Sequence, residues 1–244
     1  MNRLLGILVV ARILSGQEVN PDKRLQLAQV AMRVFLSPES VIPPGLIGRA
    51  QCLVVVPQLR GFGGGRGFAS CRGAGGGWSA PAAVVVEGRY LNRQLDQGGY
   101  SAAGLIMLVM NSAGMEYLLR DSFTLGGEIA VVEGPIGKSE SLNTDLLMNA
   151  AMISYSRATQ WRVISETRVK RVSRVRTSSV GLSLKGATLR ADVGENKKLY
   201  GREIGNREIL MGKVDLQRAP AARRFAELLG IDAMSLLNKM AGGK

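Results

Sequence analysis

Between Asn20 and Leu36 the apolar residues recur at helical spacing: Leu25, Ala28, Met32, Phe35 and Leu36 fall on one face, with Lys23, Arg24 and Arg33 toward the other edge. Asn20 is a good N-cap and Pro21 fits the first helical position, where no amide hydrogen is needed; Ser37-Pro38 is a stop signal. The spacing predicts an amphipathic helix that either packs on a sheet or lies at an interface with its basic edge toward anionic lipid. Ile42-Pro43-Pro44 then opens a short helical turn toward Arg49-Ala50.

The period shortens after Ala50. Two apolar runs, 52–56 and 67–71, flank a glycine-rich loop, and a second glycine run leads into Trp78-Ser79-Ala80-Pro81. This predicts a β-hairpin turning at Gly61-Phe62, followed by a third strand over 82–87. Further strands are expected at 104–111, 123–133 and 146–155, the last with a start that also fits a helix. Residues 180–184 are expected to turn at Lys185-Gly186 and pair with 187–191. Helical patterns cover 112–120, 221–229 and 233–240, and 196–201 fits a helix or a turn. The fold class is therefore α+β: a curved or barrel-like antiparallel sheet with an N-terminal amphipathic helix and C-terminal helices. A core domain over 20–215 is expected, preceded by an apolar segment 1–19 and followed by a helical tail 216–244.

Composition supports the β-rich part of this reading. Thirty-one glycines among 244 residues favour many tight turns, and aromatic residues make up only 5%. The 32 basic residues exceed the 19 acidic ones, so the formal net charge is +13 and an anionic partner is expected. Residues 157–176 hold seven basic residues and one acid, Glu166, contributing 7 − 1 = +6 of that charge. Val169, Val172 and Val175 recur every third residue there, which fits a helix weakly and an extended basic arm equally well.

The chain has no histidine, which removes the usual general base and metal ligand together with any Ser/His or Cys/His dyad. No paired-carboxylate pattern replaces them, so an enzyme is not expected, nor a cofactor, a metal or a small-molecule substrate. Cys52 and Cys71 lack metal-binding spacing. A hairpin centred on Gly61-Phe62 sets them opposite one another; two buried apolar thiols are the expectation, with a cross-strand disulfide in an oxidising compartment as the alternative.

Three local patterns need weighing. Residues 1–16 begin with Asn2-Arg3 and run apolar from Leu4 to Ala11, too short to span a bilayer, before Arg12 interrupts. They read as a degenerate signal peptide, placing the protein in the periplasm or outside the cell, or else as a frayed or membrane-touching segment of a cytoplasmic one. Gly134-Pro135-Ile136-Gly137-Lys138-Ser139 ends like a Walker A loop, but the first glycine is misplaced and Pro135 removes an amide that would face phosphate. The run from Gly61 to Gly67 fails the dinucleotide fingerprint because Arg66 stands where the third glycine belongs. Nucleic acid is an unlikely partner, since Trp161 is the lone aromatic in the basic segment and a base-stacking platform needs more.

Taken in order, the landmark residues resemble the SYLF domain family. Ile42-Pro43-Pro44, Arg49-Ala50, Pro57 and Gly61-Phe62-Gly63 resemble its opening, and Trp78-Ser79-Ala80-Pro81 its WS-x-P signature. Met110-Asn111, Phe123, Leu125-Gly126, Gly134-Pro135-Ile136-Gly137, Asp145 and Tyr155-Ser156 continue the likeness. Gly181, Ser183-Leu184, Gly186, Asn196 and Tyr200-Gly201 complete it. The chain departs from the family at Ala103-Gly104, where a Thr-Asp is usual, and by inserting the basic segment 157–177.

The resemblance implies a non-enzymatic domain that binds anionic phospholipid, phosphoinositides in some eukaryotic members, with an N-terminal amphipathic helix implicated. The lipid-binding candidates are Lys23, Arg24 and Arg33 on the helix and Arg168, Lys170, Arg171, Arg174 and Arg176 on the insertion. The expected partner is an anionic phospholipid membrane; the alternatives are a protein-interaction module of the actin-binding kind and a nonspecific nucleic-acid binder.

Overall fold

A computed structural model of the chain describes residues 20–35, 42–60, 64–88, 102–134, 150–166, 169–180 and 182–241. Helices α1 (Pro21–Phe35) and α2 (Pro44–Arg49) precede a hairpin of β1 (Cys52–Arg60) and β2 (Gly64–Cys71). Next come β3 (Ala82–Glu87), β4 (Ala102–Val109), α3 (Ser112–Leu118), β5 (Ser122–Thr124) and β6 (Val131–Glu133). The second half holds β7 (Met152–Glu166), β8 (Val169–Val180), β9 (Thr188–Ala191), α4 (Val193–Tyr200), α5 (Asn206–Leu210) and α6 (Pro220–Ala241).

Among the described residues these strands join in one curled half-barrel sheet of order β5-β9-β3-β2-β1-β4-β7-β6, with β8 paired to β7. Every pairing is antiparallel except β6 with β7, which is parallel. The expected architecture is therefore the observed one, helices included.

Both faces of the central strands are covered, which is why 52–56 reads as a continuous apolar run. Cys52, Val54 and Val56 share one core with Val84, Leu105 and Met107, closed by Leu118, Phe123, Leu184 and Ile209. The alternate residues Leu53, Val55, Ile106, Leu108 and Ile153 form a second core beneath α1, α2 and α6.

The hairpin register sets Cys52 opposite Cys71, as the sequence places them, but the two sulfurs are joined in a disulfide with the Cα atoms 4.0 Å apart. This corrects the expectation of separate thiols: a register that opposes two cysteines directly brings them within bonding reach. The register then slips between Val55 and Gln58, so Pro57 sits at a bulge. Gly67 lies in β2 across from that bulge, and a Cβ there would stand 2.1 Å from the Val55 carbonyl oxygen. The glycines of this hairpin thus serve close strand approach as well as turning. The turn residues themselves, 61–63, lie outside the described residues, as do 1–19, the Ser37-Pro38 stop and 135–149.

Two local expectations are corrected. The Lys185-Gly186 turn forms, with the Ala187 amide donating to the Leu184 carbonyl, but among the described residues 182–184 make no ladder with 187–191: β9 lies between β3 and β5, and the Leu125 amide donates to the Ala187 carbonyl while Leu125 O accepts from Gly186. The C-terminal patterns at 221–229 and 233–240 are one helix, α6, whose first half buries Ala222, Phe225, Ala226 and Leu229. Gly230 lies between the two patterns; a glycine in a helix interior costs only about 1 kcal/mol relative to alanine, less than the work of making two new helix ends.

The basic segment, left open between helix and extended arm, is the β7–β8 ribbon. Its valines, threonines and isoleucine favour strand over helix, because β-branched residues lose χ1 freedom in a helix.

Candidate functional site

Helix α1 begins as its sequence predicts. The Asn20 side chain accepts from the Asp22 amide at 2.9 Å, and Pro21 occupies the first turn. Leu25, Ala28, Met32 and Phe35 are buried against the sheet. At 100° per residue the direction opposite this stripe is centred on Val30.

That outward direction is not polar. Val30 is 60% exposed, Leu27 45% and Val34 40%, a second apolar stripe at i, i+3 and i+7. Lys23 and Arg33 are exposed along it. Helix α1 is therefore apolar on two sides, one spent on the core and one presented to solvent between cations. These three exposed residues are absent from the sequence-based candidates, although their spacing is readable once the inner stripe is assigned.

The other helix candidate behaves differently. Arg24 turns inward and pairs with Glu195 of α4, which is almost fully buried. It anchors α1 to the body of the domain and is not on the outward face. Glu195 belongs to a polar cluster in which Asp192 accepts from the Glu195 amide and pairs with Arg66 at 3.0 Å.

In the arm, the strand register places Lys170 opposite Ser165, Arg171 opposite Ile164, Arg174 opposite Arg162 and Arg176 opposite Gln160. Arg168 lies outside the described residues. The link between arm and helix is Arg157, at the base of β7, whose Nη1 donates to the Val34 carbonyl oxygen at 3.3 Å. The arm's base thus meets the C-terminal end of α1, beside Arg33, whereas Lys23 lies about 15 Å away along the helix and the remaining basic positions lie further along the ribbon.

The landmark residues of the middle of the chain are structural. Arg72 stacks over the Trp78 ring, 4.5 Å from its centroid, and its Nε donates to the Ala50 carbonyl oxygen, closing the C-terminus of α2. Burial lowers the Arg72 pKa. The Ser79 hydroxyl accepts from the Cys71 amide at 3.0 Å, and Tyr200 donates to the Pro81 carbonyl at 2.5 Å. Asn196 accepts from the Ala83 amide and donates to Asn206, whose own amide nitrogen donates to the Ala83 carbonyl. Gly134 lets the Tyr155 ring lie on the backbone, since a Cβ there would fall 2.1 Å from the ring. These contacts weld helices to strands.

Among the described residues no helix is long and apolar enough to cross a membrane. What the geometry offers is a surface: a half-exposed apolar stripe set among cations, beside a basic ribbon.

The sequence profile of the family described as "Ysc84: Las17-binding protein actin regulator" matches residues 96–230. SH3 domain-containing YSC84-like protein 1 of Xenopus laevis is 28% identical over 199 residues, covering 79% of this chain and 53% of that protein. Its Homo sapiens counterpart is 27% identical over 198 residues, covering 79% of this chain and 52% of that protein. Protein YSC84 of Saccharomyces cerevisiae is 26% identical over 219 residues, covering 83% of this chain and 42% of that protein. The chain spans about half the length of the curated relatives it matches.

Proposed function

Because the chain belongs to the Ysc84 family, also known as the SYLF domain family, we propose that it is a binding domain, not an enzyme, and that it docks reversibly on anionic phospholipid surfaces. The observation that carries this reading is the outward face of α1. Leu27, Val30 and Val34 form an apolar stripe that the core does not use, and Lys23 and Arg33 stand beside it. An interfacial helix needs that combination: apolar groups to sink below the headgroups and cations to meet their phosphates.

The magnitudes favour the membrane over a bare electrostatic contact. Burying a valine or leucine side chain is worth about 1.5–3 kcal/mol, and each cation near an anionic leaflet about 1 kcal/mol. Because the three side chains are already about half buried, the stripe and the two helix cations contribute comparable amounts, the stripe supplying the anchoring and the cations the preference for anionic lipid. Arg168, Lys170, Arg171, Arg174 and Arg176 of the arm add to that preference, while Arg24 holds α1 in place.

Co-sedimentation with phosphatidylcholine vesicles, with and without phosphatidylglycerol, tests the reading. Binding is expected on the anionic vesicles and to weaken as salt rises. Equal binding to neutral vesicles, or none to either, would rule it out. The family's description favours a second reading, a contact with actin or an actin-regulating protein; co-sedimentation with filaments in the absence of lipid would promote it.

A further inference from the structure

We propose that the β7–β8 ribbon itself enters the interfacial zone of an anionic bilayer, with one face of the ribbon among the lipid and the other at the level of the phosphates. The inference rests on the membrane reading of α1 and adds a second inserted element to it.

The ribbon leaves the sheet on its own. Strand β4 accompanies β7 from Met152 only as far as Thr159, whereas β7 and β8 remain paired out to Glu166 and Val169. From Gln160 outward each strand has only the other among the described residues. An isolated pair of strands is marginal in water and needs a surface to lie on.

The register divides the ribbon into two unlike faces. Paired residues of an antiparallel ladder share a face, and alternate residues lie on opposite ones. Trp161 pairs with Val175 and Val163 with Val172, so these four occupy one face. Arg162 pairs with Arg174, Ile164 with Arg171 and Gln160 with Arg176, so these four arginines occupy the other, while the first face is bounded by a cation at each end, Arg157 opposite Ser179 at the base and Lys170 opposite Ser165 toward the tip. The extra residue at the register shift after Arg162 keeps this division intact across the bulge.

The arrangement also says what the partner is. Arg162 and Arg174 are direct cross-strand neighbours, and like charges so placed destabilise a sheet unless an anion lies at them. A second copy of this chain would bring more positive charge to the same edge, which is the device that prevents edge-to-edge pairing. Duplex nucleic acid would satisfy the arginines and leave the tryptophan and valine face in water. A bilayer with anionic headgroups satisfies both faces, since tryptophan favours the interface and arginine the phosphates.

The apolar face lies on the side of the sheet that carries α1. In β7 the residues Ile153 and Tyr155 belong to the core under α1, and Arg157, next in that alternation, bonds to the Val34 carbonyl. Thr159, Trp161 and Val163 continue the same alternation. The ribbon therefore extends a surface that begins at the exposed stripe of α1.

The chain has two tryptophans, and Trp78 is buried, so Trp161 fluorescence reports on the arm. A Trp78→Phe chain leaves Trp161 as sole emitter; should that variant fail to fold, the difference between the parent and Trp161→Phe gives the same signal. With vesicles containing phosphatidylglycerol, Trp161 emission is expected to shift to the blue and to be quenched by brominated acyl chains. Trp161→Ser with Val175→Ser is expected to weaken vesicle binding by about tenfold or more while α1 still binds. A protein that pellets with anionic vesicles while Trp161 emission stays unshifted and unquenched overturns the arm's insertion and leaves the α1 reading standing. No pelleting overturns both, and a Trp161 shift on duplex DNA without one on vesicles assigns the arm to nucleic acid instead.

Discussion

The guanidinium of Arg24 on α1 donates to the carboxylate of Glu195 on α4, 171 residues away, with the side chains 12% and 2% exposed. The pair fixes the helix that carries the exposed apolar stripe. Taking either partner away leaves a charge facing the interior, which costs about 3–5 kcal/mol. Glu195→Leu is therefore expected to lower urea stability by about that amount. Arg24→Met combined with Glu195→Leu is expected to recover most of it, because well-packed apolar groups replace a buried ion pair at little cost. Neither group lies on the outward face, so the double variant is expected to pellet with anionic vesicles as the parent does.

Cys52 and Cys71 are both fully buried and are joined across β1 and β2 at a sequence separation of 19. Constraining the unfolded chain over such a loop is worth about 3 kcal/mol. Cys52→Ala with Cys71→Ala is expected to lose roughly that stability and keep the fold. Thiol labelling after denaturation without reductant is expected to find no reactive cysteine; two labelled cysteines in freshly purified protein would show that the thiols are separate.

Much of this fold is legible because its signals are local. The Asn20-Pro21 start, the period of α1 and the opposed cysteines each specify geometry within a few residues, and all three are realised. What the sequence hides depends on partners far along the chain. Nothing near residue 24 marks Arg24 as the inward member of the cationic set, because Glu195 is the reason. The strand pattern at 180–184 is real in its apolar residues, Leu182 and Leu184, which are buried without a ladder because Leu125 takes their turn's hydrogen bonds. The exposed stripe of α1 was hidden differently: once Leu25, Ala28 and Met32 account for a core face, Leu27 and Val30 pass as ordinary variation.

Gly67 tests the claim that the hairpin glycines serve strand approach. A methyl group there meets the Val55 carbonyl oxygen at 2.1 Å and the Val56 Cα at 2.8 Å, both backbone atoms that cannot rotate away. Gly67→Ala is expected to cost about 1–3 kcal/mol, the usual penalty for overpacking. Gly77, with nothing within 4 Å of its would-be Cβ, is the control, and Gly77→Ala is expected to be near neutral in thermal unfolding.

Burial pushes the Tyr155 hydroxyl up to about 12 from an ordinary 10.0, and the same cause raises Tyr200 further. Above pH 10 the unfolded chain releases protons that the folded chain retains, so this contribution to stability is complete below that pH and is lost as pH rises through the folded values. Alkaline unfolding followed by circular dichroism is expected to set in within that window. The Tyr155 hydroxyl has no hydrogen-bond partner among the described residues, so Tyr155→Phe is expected to be nearly neutral at pH 7 and to move the transition upward.

Val30 separates folding from binding. It is 60% exposed at the centre of the outward face of α1, so Val30→Glu removes no core contact and is expected to change stability by no more than about 0.5 kcal/mol. At a membrane the same change removes a buried side chain worth about 1.5 kcal/mol and places a negative charge against an anionic surface, at about 1 kcal/mol more. The sum predicts binding weakened between tenfold and a hundredfold. Gln26→Glu, one turn before Val30 on the same exposed face, carries the charge without the apolar loss, and is expected to cost only the smaller part. Vesicle titration of the two variants beside the parent measures both quantities; equal losses would mean that charge alone governs the contact and that the apolar stripe does not enter the lipid.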